Sequence, residues 1–423
     1  MPGRSFRGKL RASLLVSVLL VAGATAALAQ NKDEKAPPPP SIDAATGKVL
    51  SEAIELLNTE NYKAAADKIA TLKLEELSPF ERSKVEQILI SISIANEDYA
   101  GARRHIEAAI AAGGLNEQEI SQIKYQRAQL FIQEENWKEG AKALEEWIAA
   151  EPKPNSAAYY LLAIAYYQME DLDRALAPAK KAVELMDKPQ EGWINLLVAL
   201  YLQKSMYREA VPHLEKLIAV APTKKNYWLQ LSAVYQQLEE YGPALALTQL
   251  AYDNGLLDED NDLRRLADLQ LFNGVPYRCG LLLEGAIEKK RLKVDDKAYE
   301  KLANCWIAAG EFDKSIAPLQ RAGEISGNGD MYVRLGEIHV QREDWPAAVT
   351  ALREAIDKGK LKDAANAQLL MGISLYNQKK YKEALGWFER LPKTEKYRQM
   401  SAGYIQLIQN QLQQAELEQS RSG

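Results

Sequence analysis

Apolar residues recur along most of the chain at spacings of three and four, and short polar stretches separate the groups. The segment that starts at Glu191 has apolar residues at positions 7, 8 and 11, then at positions 20, 24 and 27, and it closes on Pro222. Each group fits one face of an α-helix, and the mostly polar residues 203–206 lie between them. The pattern therefore predicts two amphipathic helices joined by a tight turn.

The same pattern returns every 33 to 38 residues, with predicted repeat starts near residues 46, 83, 121, 156, 191, 225, 260, 296, 329 and 365. An aromatic residue or leucine precedes a small residue by three positions in most copies. A small residue at that point lets the two helices approach closely. A hairpin this short cannot bury its own apolar faces, so neighbouring hairpins must stack into one solenoid. These small slots are Ala175, Ala210, Ala244, Ser315, Ala348 and Ala384.

The spacing resembles the tetratricopeptide repeat (TPR), which has small residues at positions 8, 20 and 27 and an aromatic at position 11. The resemblance implies an all-α fold of about ten helical hairpins over residues 42–418, wound into a right-handed superhelix, with a capping helix over 395–418. The match is weakest in the first three repeats, where Glu52 and Arg127 occupy apolar slots. The register is expected to slip by one residue around Cys279 and Gly280.

The N-terminus has the pattern of a secretory signal peptide over residues 1–29. Four basic residues precede an apolar stretch, and Ala27 and Ala29 provide the small residues of a cleavage site after Ala29. Residues 30–41 are polar and then proline-rich, which favours a disordered leader. The sequence therefore predicts a periplasmic protein with no membrane span after cleavage.

Charge and rare residues restrict the function further. Cleavage would remove four basic and no acidic residues, which takes the net charge from −5 to −9 and makes nucleic acid a poor partner. Three histidines, two cysteines and no glycine-rich phosphate loop predict no metal site, no cofactor, no small-molecule substrate and no catalytic residue. Cys279 and Cys305 fall on adjacent layers of the predicted array. Two interpretations remain for them: a disulfide between repeats or, as the favoured one, two buried thiols.

A binding surface is predicted on the inner face of the first helices, at positions 2, 5, 9, 12 and 13 of each repeat. Amide side chains there can donate to and accept from an extended peptide, and tyrosine adds apolar area with a polar tip. The alternative is an ordinary solvated helix face. The cations of a carboxylate clamp, at positions 5 and 13, are not expected in the well-formed repeats. The predicted contact residues are Tyr160, Ile164, Tyr167, Asn195, Gln203, Gln236, Gln237, Asn304, Gln341, Tyr376 and Asn377.

Beyond the repeat, residues 42–394 are similar to the periplasmic TPR protein that accompanies some TonB/ExbB/ExbD energy-transduction systems of Gram-negative bacteria. The resemblance implies a scaffold that binds periplasmic segments of such an inner-membrane complex. A scaffold for cell-wall or exopolysaccharide assembly is the alternative, and a hydrolase within the first three repeats is a third hypothesis. The stretches that carry the resemblance are LSPFERSKVEQ, EGWINLLVALYLQKSMYREAVPHLEKLI, NYWLQLSAVYQQLEEYGPALALTQLAYDNGLL, VPYRCGLLLEGAIEKK and WPAAVTALREAIDKGKLKDAANAQLLMGISLY.

Overall fold

A computed structural model describes residues 41–422, and its α-helices and one short 3₁₀ turn are the only regular elements in that range. The predicted signal peptide and residues 30–40 of the predicted leader lie outside the described residues. No helix within 41–422 is long and apolar enough to cross a membrane. The chain divides into two compact units, the first ending at Lys204 and the second beginning at Ser205.

The described part of the first unit contains nine α-helices. Each helix packs against its neighbours in the chain, which gives four hairpins followed by one further helix. The helices are α1 (Ala44–Asn58), α2 (Tyr62–Ile69), α3 (Pro79–Ala95), α4 (Tyr99–Ala111), α5 (Glu117–Gln133), α6 (Trp137–Ala150), α7 (Ser156–Gln168), α8 (Leu172–Leu185) and α9 (Glu191–Gln203).

The described part of the second unit contains twelve α-helices. It opens on one helix, continues through five hairpins and ends on one long helix, again with each helix packed on its neighbours in the chain. The helices are α10 (Tyr207–Val220), α11 (Lys225–Gln237), α12 (Tyr241–Asp253), α13 (Asp260–Phe272), α14 (Pro276–Glu288), α15 (Asp296–Ala308), α16 (Phe312–Ser326), α17 (Gly329–Gln341), α18 (Trp345–Lys358), α19 (Ala364–Asn377), α20 (Tyr381–Glu389) and α21 (Glu395–Ser422).

The all-α class and the repeat count are confirmed by these elements. From α7 to α19, every odd-numbered helix, which we call a first helix, begins within one residue of the predicted repeat start. Helices α1, α3 and α5 begin two to four residues earlier than predicted. Capping boxes explain two of these cases, because Ser78 with Glu81 and Asn116 with Glu119 satisfy the first backbone N–H groups ahead of the repeat pattern.

The turn between the two helices of each repeat has one residue in the left-handed backbone region. Asp171 donates its N–H to the Tyr166 carbonyl at 2.9 Å across such a turn, which closes the end of α7. Most of these residues are not glycine, so local backbone hydrogen bonds at the helix end accompany a conformation that L residues disfavour. The positions are Glu60, Glu97, Glu135, Glu170, Ser205, Glu239, Gly274, Gly310, Glu343 and Lys379.

The six predicted small slots lie in the interior, and each has a relative exposure of 0%. The expected slip of register near Cys279 is wrong. Helix α14 begins at Pro276, and Cys279 follows three residues later, as Ala210 follows Tyr207. Proline occupies the helix start, which moves the aromatic Tyr277 one position along and hides the regular spacing in the sequence.

Candidate binding surface on the first helices

An aromatic–amide cluster lies on α7 and α9 in the first unit; we define it as Tyr160, Tyr167, Trp193, Asn195 and Gln203. The rings of Tyr160 and Trp193 stack with centroids 4.8 Å apart and planes 18° from parallel. Gln203 Nε2 donates to the Tyr167 hydroxyl at 3.2 Å. Contacts between successive first helices therefore fix the orientation of both aromatic side chains.

The members of the cluster are partly accessible. Gln203 is exposed, and the other four are half-buried. Burial raises the pKa of the Tyr160 hydroxyl, so it stays protonated and able to donate at neutral pH. The cluster offers flat apolar area together with hydrogen-bonding groups and carries no formal charge. The sequence prediction did not include Trp193, because this residue occupies position 3 of its repeat. An aromatic residue on the first helix of the repeat after that of Tyr160 could have indicated it.

Ile164, predicted as a contact residue, lies in the interior with 2% relative exposure. Helix α7 packs against α5 as well as against α6 and α8. The prediction that Ile164 contacts a partner is therefore wrong, because its side chain is buried.

The first helices of the second unit carry charged groups at positions 5, 6 and 9 of their repeats, and these groups pair with side chains of neighbouring first helices. Lys301 on α15 pairs with Asp268 on α13. Arg334 on α17 lies 3.4 Å from Glu300 and donates to the Asn304 side-chain oxygen. Further along, the Asn366 amide donates to Glu337 at 2.9 Å. We call this set, on α13, α15, α17 and α19, the charged ladder.

The remaining predicted contact residues divide between free amides and internal contacts. Gln237 and Gln341 are exposed, whereas the Gln236 amide donates to the Ser232 carbonyl at 3.3 Å within its own helix, and Asn377 does the same to Ile373 at 2.9 Å. Tyr376 is half-buried beneath α21, with its ring centroid 5.2 Å from that of Tyr404. The last helix of the chain thus contacts Tyr376 but leaves part of it accessible, and its predicted role in partner binding stays a prediction.

One cation occupies a carboxylate-clamp position despite the expectation of none. Arg264 lies at position 5 of its repeat, where its guanidinium contacts Asp260 at 2.7 Å and Asp295 at 3.3 Å. Its hydrogen bond to Asp260 lowers the pKa of that carboxyl group. Arg264 is therefore already engaged by two carboxylates of the second unit.

The two cysteines lie in the interior of the second unit, on α14 and α15. Their sulphurs are bonded and their Cα atoms are 5.6 Å apart, so of the two interpretations the structure has the disulfide rather than the favoured pair of thiols. Within the described residues, no group of three or more His, Cys, Asp or Glu side chains could hold a metal ion.

Comparison with known proteins gives one family match in each unit. The family model described as "Tetratricopeptide repeat" matches residues 125–188 and 333–398. A BBSome complex member BBS4 homolog from Drosophila melanogaster is 24% identical over 202 residues, which are 44% of this chain and only 37% of that protein. The chain thus aligns with little more than a third of that relative's length.

Solved structures of helical repeat proteins are also similar, at low identity. A tetratricopeptide repeat protein from Parabacteroides merdae is 17% identical, with 60% of this chain and 98% of that chain covered and a TM-score of 0.32. The TPR2AB domain of yeast Sti1, in a complex with pHSP90, is 13% identical, with coverages of 62% and 96% and a TM-score of 0.29.

Proposed function

We propose that this chain, which matches the tetratricopeptide repeat model in both units, is a non-catalytic scaffold that binds an extended segment of a partner protein at the aromatic–amide cluster. The observation that carries the proposal is the pair of contacts that fix Tyr160 on Trp193 and Tyr167 on Gln203. Rigid aromatic side chains lose little conformational entropy on binding, and they are enriched at the centres of protein interfaces.

The charge of the first unit indicates the kind of segment that would fit. Residues 42–204 contain 26 Asp and Glu against 18 Lys and Arg, a net charge of −8. An acidic unit attracts basic partners and repels acidic ones. We therefore expect an extended, polar segment with excess positive charge, whose backbone exchanges hydrogen bonds with Asn195 and Gln203.

The proposed cellular setting is the periplasm, and the proposed partners are periplasmic segments of a TonB/ExbB/ExbD-like energy-transduction complex that serves iron uptake. The signal-peptide pattern of residues 1–29 and the five stretches given above support this setting. Fractionation of cells should find a mature chain that begins at Gln30 in the periplasm. An uncleaved chain in the cytosol would contradict it.

Cross-linking in intact envelopes tests the partner. The wild-type chain should co-purify TonB-, ExbB- or ExbD-like proteins, and a Tyr160→Ala/Gln203→Ala double variant should recover several-fold less of them. Gln237→Ala, a change of another exposed amide on a first helix, this time in the second unit, is the matched control and should recover as much as the wild type. Equal recovery by all three chains would refute the cluster as the binding surface.

Deletion of the gene distinguishes the two cellular settings. A growth defect confined to iron limitation supports the energy-transduction setting. A wall or capsule defect, together with retention of the protein on glycan, would instead support assembly of an extracellular polymer.

A further inference from the structure

The turn between α19 and α20 is basic, unlike most of the corresponding turns of the array. Lys379 holds the left-handed position of this turn, with a φ of 60°, and Lys380 and Lys382 follow it closely. The charge at this position is therefore reversed in the repeat that starts near residue 365. Six other turns have glutamate there, namely Glu60, Glu97, Glu135, Glu170, Glu239 and Glu343.

The sequence around this turn shows the same reversal of charge. Residues 358–398 contain 10 Lys and Arg against 4 Asp and Glu, a net charge of +6. Residues 42–357 contain 36 Lys and Arg against 50 Asp and Glu, a net charge of −14. An acidic chain that concentrates positive charge in one place attracts an anionic group to that place.

A groove of about 270 Å³ lies beside the turn, between the start of α20 and the last helix, α21. Two half-buried side chains, Tyr381 and Leu412, supply its apolar surface, and three lysines supply its positive charge. One carboxylate also lies on the lining and leaves an excess of two positive charges. The lining residues are Lys379, Lys380, Tyr381, Lys382, Glu383 and Leu412.

Internal contacts hold the walls of this groove. The Lys380 N–H donates to the Leu375 carbonyl at 3.0 Å, which closes the turn. The Tyr376 ring contacts those of Tyr381 and Tyr404, with centroids 5.7 Å and 5.2 Å away. These contacts join α19, α20 and α21, so the groove is formed before a ligand binds and little conformational freedom is lost on binding.

The lysines of the groove are available to a ligand. In the charged ladder, Lys301 is paired with Asp268. In contrast, Lys379, Lys380 and Lys382 are exposed and form no ion pair with the described side chains. A carboxylate of a ligand can therefore approach them without displacing an internal partner.

We infer that this groove binds an acidic segment of a partner polypeptide. Carboxylate side chains of the segment lie beside the lysines, whose flexible ammonium groups adapt to them, and an apolar side chain packs against Tyr381 and Leu412. A nucleic acid or an anionic membrane fits less well, because such a polyanion extends beyond the groove and is repelled by the acidic remainder of the chain.

The assignment to a polypeptide rests on the proposed scaffold function. The groove, on α20 and α21, is a different surface from the aromatic–amide cluster on α7 and α9. The cluster is proposed to bind a basic segment, so the two surfaces select segments of opposite charge.

Fluorescence anisotropy on the purified mature chain tests the groove with a labelled synthetic peptide, Glu-Glu-Leu-Glu-Glu-Leu. The same peptide with Gln in place of every Glu is the comparison. The acidic peptide should bind about tenfold more tightly, because only its carboxylates attract the lysines. Raising the salt concentration from about 50 to about 500 mM should weaken its binding several-fold.

Charge reversal locates the binding site. Lys379→Glu/Lys380→Glu should weaken binding of the acidic peptide about tenfold, and Lys382→Glu alone about threefold. Lys289→Glu/Lys290→Glu is the matched control for the double variant. It changes the same number of charges in an exposed pair, which also includes a left-handed lysine, with a φ of 56° at Lys290. This control should bind the peptide as the wild type does, and helical circular dichroism should be the same in all four chains.

Equal binding of the two peptides, or equal weakening by the two double variants, would overturn the inference. Tighter binding of a single-stranded oligonucleotide or of phosphatidylglycerol vesicles than of the acidic peptide would also contradict it. Dimers in sedimentation velocity that Lys379→Glu/Lys380→Glu abolishes would assign the groove to a second copy of the chain instead. If the acidic peptide binds as expected but no partner is recovered from envelopes, the groove stands and the scaffold function fails.

Discussion

The aromatic–amide cluster on α7 and α9 and the charged ladder on α13 to α19 both lie on first helices, yet they differ in what they can still bind. In the ladder, Arg334 contacts Glu300 and Asn304, and Lys301 contacts Asp268, so each charge has a partner on a neighbouring helix. In the cluster, neutral groups touch one another but keep accessible surface.

The net charges of the two units also differ. Residues 42–204 have a net charge of −8, whereas residues 205–423, with 30 acidic and 29 basic residues, have a net charge of −1. Internal pairing of near-balanced charges favours cohesion between repeats, and neutral aromatic and amide groups within an acidic unit favour recognition. The repeat thus sets where a side chain points, and the neighbouring repeats decide whether it remains available.

The largest expected effect should be the same in both units, because the small slots are common to them. Ala175→Leu in the first unit and Ala244→Leu in the second should each destabilise by about 1–3 kcal/mol through overpacking. Urea unfolding measures the loss. Ala233→Leu, at an exposed position of α11, is the control and should change stability by less than about 0.5 kcal/mol. A comparable cost at Ala233 would show that the faces are misassigned.

Removal of the Arg264 cation on α13 should have the next largest effect on stability. Arg264→Met breaks the contacts to Asp260 and Asp295 and should cost about 1–2 kcal/mol, less at high salt. Arg342→Met, whose pair with Asp313 is more exposed, should cost less than about 0.5 kcal/mol. Equal losses of stability in the two variants would contradict a stabilising role for the ion pairs of Arg264.

The contact between Arg264 and Asp260 should also make the stability of the chain depend on pH. Arg264 lowers the folded-state pKa of Asp260 below its ordinary 3.8. The resulting stabilisation is complete above that value and is lost as the pH falls through the lowered pKa. The wild type should therefore lose more stability than Arg264→Met between about pH 5 and pH 2. If the free energy of unfolding falls equally with pH in the two chains, Arg264 does not set the pH dependence.

Two substitutions with smaller effects distinguish partner binding from stability. Gln203→Ala in the cluster should change stability by less than about 0.5 kcal/mol but weaken partner binding about three- to tenfold. Asn304→Ala in the ladder should do the reverse, because it removes an acceptor from Arg334 and leaves the cluster intact. Cross-linking yield and urea unfolding are the two measurements. If Asn304→Ala weakens binding as much as Gln203→Ala, the two surfaces do not differ in function.

The smallest expected effect lies in the turns, which are alike in both units. Glu170 and Glu343 hold φ values of 61° and 56°. Glycine removes a strain of roughly 1–2 kcal/mol there but costs about 0.5–1 kcal/mol in entropy. Each Glu→Gly change should therefore stabilise by about 0.5 kcal/mol in urea unfolding. Destabilisation at either turn would indicate that the glutamate side chain makes a needed contact.

The sequence by itself determined the helical hairpins, most of their starts and the buried small slots. These features depend on residues three to eleven positions apart, so local periodicity records them: α11 begins at the predicted Lys225, and Ala244 is buried as the spacing requires. The turn residues with positive φ left no such record, because glutamate at most of them has no preference for that conformation.

Only the tertiary structure decided which inner-face residues are free. Ile164 is buried, the Tyr376 ring packs on Tyr404 of α21, and Asn304 accepts a hydrogen bond from Arg334, although the periodic pattern treats all three as surface positions. The pairing of Cys279 with Cys305 belongs to the same class. Each depends on a group some twenty to thirty-five residues away, and a spacing rule for one helix does not contain its neighbour's side chains.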